Sequence, residues 1–550
     1  MLNINFKKQE VLLLVGIVIL GAFLYLYKLS DNPPGLYLDE VGTGYNAYSI
    51  LKTGKDEYGK FFPLAMRLFG SYTPPLYVYL TVPIMSLFGL SIFSTRLVSA
   101  ICGVLAIFVV FFIIKELKIT KSKYTPLIGT LFFAITPWTV FFSRIGYEQN
   151  LAYFFFCLSV LAIIKSLKTP KFLLFALPLI SISSYADFPL RYLSPLLFFG
   201  IPLIFRKKLL FKNNLKYLLA GSLIAFFIQI PNLYVFTTPA FFTKSEHFYT
   251  DTVISQTIKL QHFLPSILAY PLALLREFLS QYSAYLSPRS LFFLPDQDAQ
   301  RSIPELSVFY SWMIIPYVVG LYFVWKHKKI QSIKLLIFLL LITPLPGALT
   351  KQPFHIQRTL TLLLPLTLVL TVGIDNLVKN LKLKILLPII LGILVISLIQ
   401  IWRSYFVLLP SINASIWGFG YKSLAEYISS HPSEIFVIDQ STRSRPQDIA
   451  YIQLAFYLKL DPKILQDDQD AKIVQDYYNQ LDFSFVHKLG NIETRPIDWG
   501  EACWRNNVVF VGDTVSISDN EVNLHNLVQV FEIKDPNDNI ILRGFKAQTN

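Results

Sequence analysis

Runs of 17 or more residues with almost no charge recur along this 550-residue chain, separated by short lysine-rich connectors. Hydrocarbon offers nothing for a backbone N–H or C=O to bond. Such runs fold there as helices that satisfy their own hydrogen bonds, and about 20 apolar residues cross a bilayer. Composition agrees: 15% of the residues are charged and 53% hydrophobic, whereas an ordinary soluble domain is about a quarter charged. The expected class is a polytopic α-helical membrane protein. The first run, Val11–Tyr27, follows Lys7 and Lys8 and resembles a signal peptide, but no small-x-small cleavage pattern precedes Lys28. It reads as a retained signal-anchor helix.

Lysine and arginine in short loops mark the cytoplasmic side. Lys7 and Lys8 therefore put the N-terminus in the cytoplasm of a cell (plasma) membrane protein. The connectors then alternate through about eleven spans: Val11–Tyr27, Arg96–Ile114, Tyr124–Phe142, Leu151–Ile164, Phe172–Tyr185, Tyr192–Phe205, Tyr217–Phe236, Val308–Trp325, Leu335–Leu349, Thr359–Ile374 and Ile385–Phe406. The apolar segment Leu76–Leu90 is short, holds Pro83 and ends at Gly89, which suits an interfacial or re-entrant helix. Residues 1–409 form the membrane domain, with outer loops 28–75 and 236–307. The first of these loops is mixed in charge, as in Lys55-Asp56-Glu57-Tyr58-Gly59-Lys60. From Pro410 the chain carries 12 Lys and Arg against 19 Asp and Glu, and the first 409 residues 37 against 16. That positive charge sits in connectors and reads as a topology determinant, not a nucleic-acid footprint. In residues 410–550 a helical pattern at Tyr421–Ile428 precedes β-rich runs at Glu434–Ile438 and Asn507–Val511, predicting a soluble extracytoplasmic α/β domain. Cys102 and Cys157 lie in apolar runs and Cys503 is alone in the tail, so no disulfide framework follows.

Pro33-Pro34-Gly35 stops any helix just before Leu36-Tyr37-Leu38-Asp39-Glu40-Val41-Gly42-Thr43-Gly44-Tyr45. Two carboxylates at the mouth of a membrane helix are costly and mark a candidate site. On this topology Asp39, Glu40, Glu148, Asp187, Arg191, His355 and Arg358 all fall on the outer side, at or near span ends. One extracytoplasmic cavity holding them would suit a base that deprotonates a hydroxyl while cations hold an anionic leaving group. Each also has a plainer role. Arg191 and Arg358 would anchor helix ends among headgroups, Glu148 would cap the next helix, and Asp187 beside Pro189 would end its span. No His/Asp/Glu cluster has metal-ligand spacing, so His355 orients a neighbour or faces water sooner than it binds metal.

Three motifs resemble those of GT-C membrane glycosyltransferases, nearest to the glycosyltransferase 39-like relatives of protein O-mannosyltransferases and aminoarabinose transferases. They are Leu38-Asp39-Glu40 with Tyr45-Asn46-Ala47, then Ser71-Tyr72-Thr73-Pro74-Pro75-Leu76-Tyr77 with Ser94-Thr95-Arg96-Leu97, and Glu148 within Ser143-Arg144-Ile145-Gly146-Tyr147-Glu148. The resemblance covers roughly the first two hundred residues. It implies transfer of a hexosyl or pentosyl group, with inversion, from a polyprenyl-phosphate donor to an extracytoplasmic acceptor: a protein hydroxyl, a lipid or a cell-envelope glycan. By similarity Asp39 is the base, with Glu40 and Glu148 shaping the site. Arg191 and Arg358 are the first candidates for the donor phosphate, because guanidinium forks match phosphate oxygens, and Lys60 and Arg144 the next. His355, Tyr72 and Asp187 complete the candidate site. Relatives often carry a basic residue or histidine where Thr73 precedes the proline pair, which leaves the phosphate's partner open. No cofactor is required on this reading, although two or three outer carboxylates leave room for a divalent metal. A lipid or polysaccharide transporter, and a non-catalytic scaffold, are the competing classes.

Overall fold

The computed structural model describes residues 8–210, 212–242, 248–379, 382–440, 449–468, 474–502 and 507–548. Lys7 and Cys503 lie outside them. Among these residues seven helices are long and apolar enough to cross a membrane, or eight with a bent pair counted as one span. The other three expected spans fall on helices of 11 to 17 residues, Leu173–Ser183, Phe188–Ile204 and Ile314–Lys326. Pro178, Pro195 and Pro202 interrupt the first two.

Helix α1 (Lys8–Leu26) opens the membrane body. Helix α2 (Leu38–Thr53) starts from an extended Tyr37 (φ −64°, ψ 158°) and ends at Gly54 in the left-handed region (φ 71°) that glycine tolerates without strain. The hairpin strands β1 (Met66–Leu68) and β2 (Ser71–Thr73) pair antiparallel. The hairpin lies hard against α2 because position 42 is glycine: a Cβ there would sit 2.9 Å from Leu68 Cδ2 and 3.0 Å from Phe69 Cζ.

Helix α3 (Leu76–Phe88) has 13 residues, about 20 Å of rise, short of the ~30 Å hydrocarbon layer. Helix α4 (Ile92–Leu117) starts on a Ser91 cap, whose hydroxyl accepts from the Ser94 amide at 3.2 Å, and runs 26 residues. Helices α5 (Thr125–Ile135) and α6 (Pro137–Ser143) form one span bent by 56°. Thr136 is extended (φ −60°, ψ 136°), as a residue ahead of proline is driven to be. Helices α7 (Glu148–Ser166), α8 (Leu173–Ser183) and α9 (Phe188–Ile204) complete the first half. Helices Asn214–Val235, Gln331–Ala348, Leu360–Val378 and Lys384–Ile412 supply the later spans.

The tail carries a six-stranded mixed sheet, ordered β4-β5-β3-β6-β8-β7. Strands β3 (Ile435–Ile438), β5 (Ile492–Thr494) and β6 (Val508–Gly512) run parallel at its centre, and β4 (His487–Leu489), β7 (Leu527–Lys534) and β8 (Ile540–Ala547) pair antiparallel around them. This sheet region is not separate from the helices. Val41 and Tyr45 of α2, Met66 and Val78 share one buried apolar cluster with Leu424, Leu454 and Phe456.

Candidate active site

Five parts of the chain meet around one cavity of about 260 Å³: the start of α2, the β2 strand, the start of α7, the start of α9, and residues 346–358. Asp39, Tyr72, Glu148, Asp187, His355 and Arg358 all line it. Glu40, Lys60, Arg144 and Arg191 do not.

Adjacent residues on a helix point about 100° apart, and this separates the acidic pair. Asp39 faces the cavity. Glu40 is fully buried, accepting from Arg96 Nε at 2.8 Å and Nη2 at 2.9 Å, from the Tyr37 amide at 3.2 Å and from the Gly146 amide. Arg96 also donates to the carbonyls of Leu29 (3.1 Å), Pro33 (3.0 Å) and Gly35. Glu40, expected in the site beside Asp39, is therefore not in the cavity wall, and both its oxygens are held by Arg96 and two backbone amides.

Glu148 opens α7 and accepts from the Thr73 hydroxyl at 3.2 Å. Asp187 stands just before α9 and accepts from the Gln149 side-chain Nε2 at 3.4 Å. Burial, and then the charge of Glu148, hold the Asp187 carboxyl well above the usual carboxylate range, favouring its protonated form. Tyr72 presents its ring to the cavity while its hydroxyl donates to the carbonyls of Tyr477 and Gln480, the latter at 2.7 Å, so the tail fixes this wall.

Arg358 and His355 supply the basic end. Burial pushes the Arg358 guanidinium down to about 10, which still leaves it charged at neutral pH. Its Nη1 is buried and meets no partner among the described residues, a cost that a ligand oxygen would relieve. Arg191 is sandwiched between the rings of Phe188 (4.4 Å) and Phe241 (4.6 Å) and donates to the Phe241 carbonyl at 3.2 Å. It lines a second, mainly apolar groove of about 520 Å³ between α8, α9 and the helix Asn214–Val235. Tyr192 lines both cavity and groove, so the two adjoin.

Arg144 and Lys60, expected near a phosphate, are placed elsewhere. Arg144 is buried and caps the end of α1, donating to the carbonyls of Leu24 (2.6 Å), Lys28 (3.2 Å) and Asn32 (3.1 Å). Lys60 lies over the rings of Tyr477 and Tyr478. Sequence reasoning passed over Thr73 as the partner of Glu148, Gln357 and Tyr192 in the cavity wall, and Arg96 as the counter-charge of Glu40. The signal for Arg96 is a lone arginine near the start of a long apolar helix. Among the described residues no group of three or more His, Cys, Asp or Glu is placed to hold a metal ion.

Across its length the chain has the fold of ArnT from Cupriavidus metallidurans bound to undecaprenyl phosphate, with a TM-score of 0.54 and 11% identity over 98% of each chain. Residues 72–235, which carry most of the acidic wall, match the dolichyl-phosphate-mannose-protein mannosyltransferase family model. The chain is also similar to the apo Archaeoglobus fulgidus oligosaccharyltransferase (TM-score 0.49, 12% identity, 99% of this chain and 75% of that one). The S. cerevisiae protein O-mannosyltransferase Pmt1-Pmt2 complex bound to the sugar donor is similar over 42% of this chain and 33% of that one (TM-score 0.34, 20% identity). No curated protein matches the chain by sequence.

Proposed function

We propose that the enzyme moves a sugar from a polyprenyl-phosphate donor to an acceptor hydroxyl on the extracytoplasmic face, with inversion at the anomeric carbon. The observation that carries this is the cavity itself: Asp39 and Glu148 share it with Arg358, and an apolar groove adjoins it at Tyr192. The ArnT structure with undecaprenyl phosphate supports a lipid-linked donor. On this reading the isoprenoid lies in the groove and its phosphate reaches Arg358, with Arg191 at the junction.

Asp39 takes the proton of the acceptor hydroxyl as its oxygen attacks the anomeric carbon. The bond from that carbon to the phosphate oxygen breaks, and its electron pair leaves on the lipid phosphate. Arg358, with one N–H unclaimed, meets the charge that develops there. Glu148, held by Thr73, orients the acceptor, and a protonated Asp187 keeps a third negative charge out of the cavity. No nucleotide is needed, since the leaving phosphate is already esterified. The acceptor is a protein hydroxyl, a lipid or a cell-envelope glycan, and the tail lies on the same outer face.

The test is transfer from radiolabelled polyprenyl-phosphate sugars by the solubilised full-length protein, with Asp39→Asn beside it. A positioned general base contributes about 10²- to 10⁴-fold, so the variant is expected to lose at least a hundredfold in turnover while keeping its thermal midpoint. Turnover retained in Asp39→Asn would sink the base assignment. Binding without transfer in both proteins would sink the enzyme reading.

A further inference from the structure

His355 and Arg358 sit on one short turn, and a buried polar layer stands behind them. Arg301, in the loop between Phe292 and Ser311, is 5% exposed and is not part of the cavity wall. Its Nη1 contacts the Nε2 of His355 and reaches Gln352 Oε1 at 3.2 Å. Its Nη2 donates to Asp296 Oδ1 at 3.1 Å and lies 3.4 Å from an Asp298 oxygen. The other Asp296 oxygen accepts from the Ile356 amide at 3.4 Å, and the His355 amide donates to the Tyr285 hydroxyl at 2.9 Å. The guanidinium is thus anchored by two carboxylates and aimed at one ring nitrogen.

A guanidinium only donates. Nε2 of His355 must therefore present its lone pair to Arg301, and a neutral imidazole has just one such nitrogen. The Arg358 amide, 3.4 Å from Nδ1, is at the outer limit of a hydrogen bond and yields to the closer contact. The ring proton then belongs on Nδ1. An imidazolium would set an Nε2–H against the Arg301 N–H at the closer of the two contacts, beside two guanidiniums.

We propose that Arg301 is a positioning residue that holds His355 in a single neutral tautomer, so the donor end of the cavity keeps the fixed charge of Arg358 through the range where free histidine titrates. The consequence for the donor rests on the reading of that end as the phosphate end. The charged and titratable groups around the ring are Arg301, Asp296 and Asp298 from the loop behind, Tyr285 from the end of the helix Ser266–Ala284, Arg358 on its own turn, and Asp39, Tyr72, Glu148, Asp187 and Tyr192 from the other walls of the cavity.

The test reads the ring in the full-length protein by NMR of ¹³Cε1-labelled histidine, the His355 signal being assigned by its loss in His355→Asn. In the wild type that signal is expected not to titrate between about pH 5.5 and 8, where an ordinary histidine has its midpoint near ~6.5. In Arg301→Met it is expected to titrate in that range. Binding of a short polyprenyl phosphate should then become several-fold tighter at the acid end in Arg301→Met, and this gain should vanish in Arg301→Met/His355→Asn. A wild-type His355 that titrates as an ordinary histidine overturns the proposal, whether or not the Met variant folds. So does an acid-side gain that survives loss of the imidazole. Failure of every protein to bind polyprenyl phosphate would count against the proposed function, while the ring titration would still decide the role of Arg301.

Discussion

Replacing Glu40 by glutamine separates the two halves of the acidic pair. Four donors converge on this carboxylate: two from Arg96, at 2.8 and 2.9 Å, and the amides of Tyr37 and Gly146. Both members of the ion pair are fully buried. Glutamine keeps one acceptor oxygen, turns an NH₂ toward the guanidinium or an amide, and leaves the Arg96 charge without its counter-ion. Breaking a buried pair from one side costs about 3–5 kcal/mol. The lower end applies here, because the carbonyls of Leu29, Pro33 and Gly35 still receive Arg96. Glu40→Gln is therefore expected to lower the thermal midpoint and the yield of monodisperse protein, with transfer per folded molecule changed far less than in Asp39→Asn. Swapping both partners for methionine is not expected to rescue it. That change restores neutrality but strands three carbonyls and two amides, each worth about 1–3 kcal/mol when buried unpaired. Melting in detergent, followed by size-exclusion chromatography, with turnover normalised to folded protein, measures both quantities. A Glu40→Gln protein with a wild-type midpoint and no turnover would refute the reasoning and return Glu40 to the chemistry.

On the proposed function Arg358→Met removes a charge-assisted contact to the donor phosphate, worth about 1.5–3 kcal/mol, and is expected to raise donor KM by roughly one to two powers of ten in initial-rate measurements. Burial pushes Asp56 up to about 6 and Glu57 up to about 8. Both then hold protons in the folded state that the unfolded chain releases in the ordinary carboxylate range. Their contribution to stability is thus complete in acid and declines as pH rises through about 6 and then about 8. Glu57→Gln, which still accepts from Asn46 and can donate to Tyr451, should flatten that decline. Midpoints measured from about pH 5 to 9, a window that spans both values, check it, and an unchanged slope would remove Glu57 as its source.

What the sequence could and could not reveal follows the range of the interactions. Apolar runs report on hydrocarbon directly, and every expected span falls on a helix or the bent pair. Polar residues at span ends report on the mouth of the bundle, and six of the ten candidate site residues line one cavity. Which of two neighbouring carboxylates faces that cavity is a different kind of information. It depends on Arg96, 56 residues along the chain from Glu40. Arg144, four residues before Glu148, turns the other way because the carbonyls at the end of α1 need donors. The loop Lys55–Lys60 reads locally as a mixed-charge surface, yet Asp56 and Glu57 are fully buried. Tyr477 donates to Asp56 and Tyr451 to Glu57, from more than 390 residues away. The same part of the tail receives the hydroxyl of Tyr72, through the Tyr477 and Gln480 carbonyls, and the guanidinium of Arg67, through the carbonyl of Asp482. The hairpin that puts Tyr72 and Thr73 into the cavity wall is therefore shaped from both sides, by α2 on one face and by the tail on the other. The tail thus builds part of the wall against which Asp39 and Glu148 face.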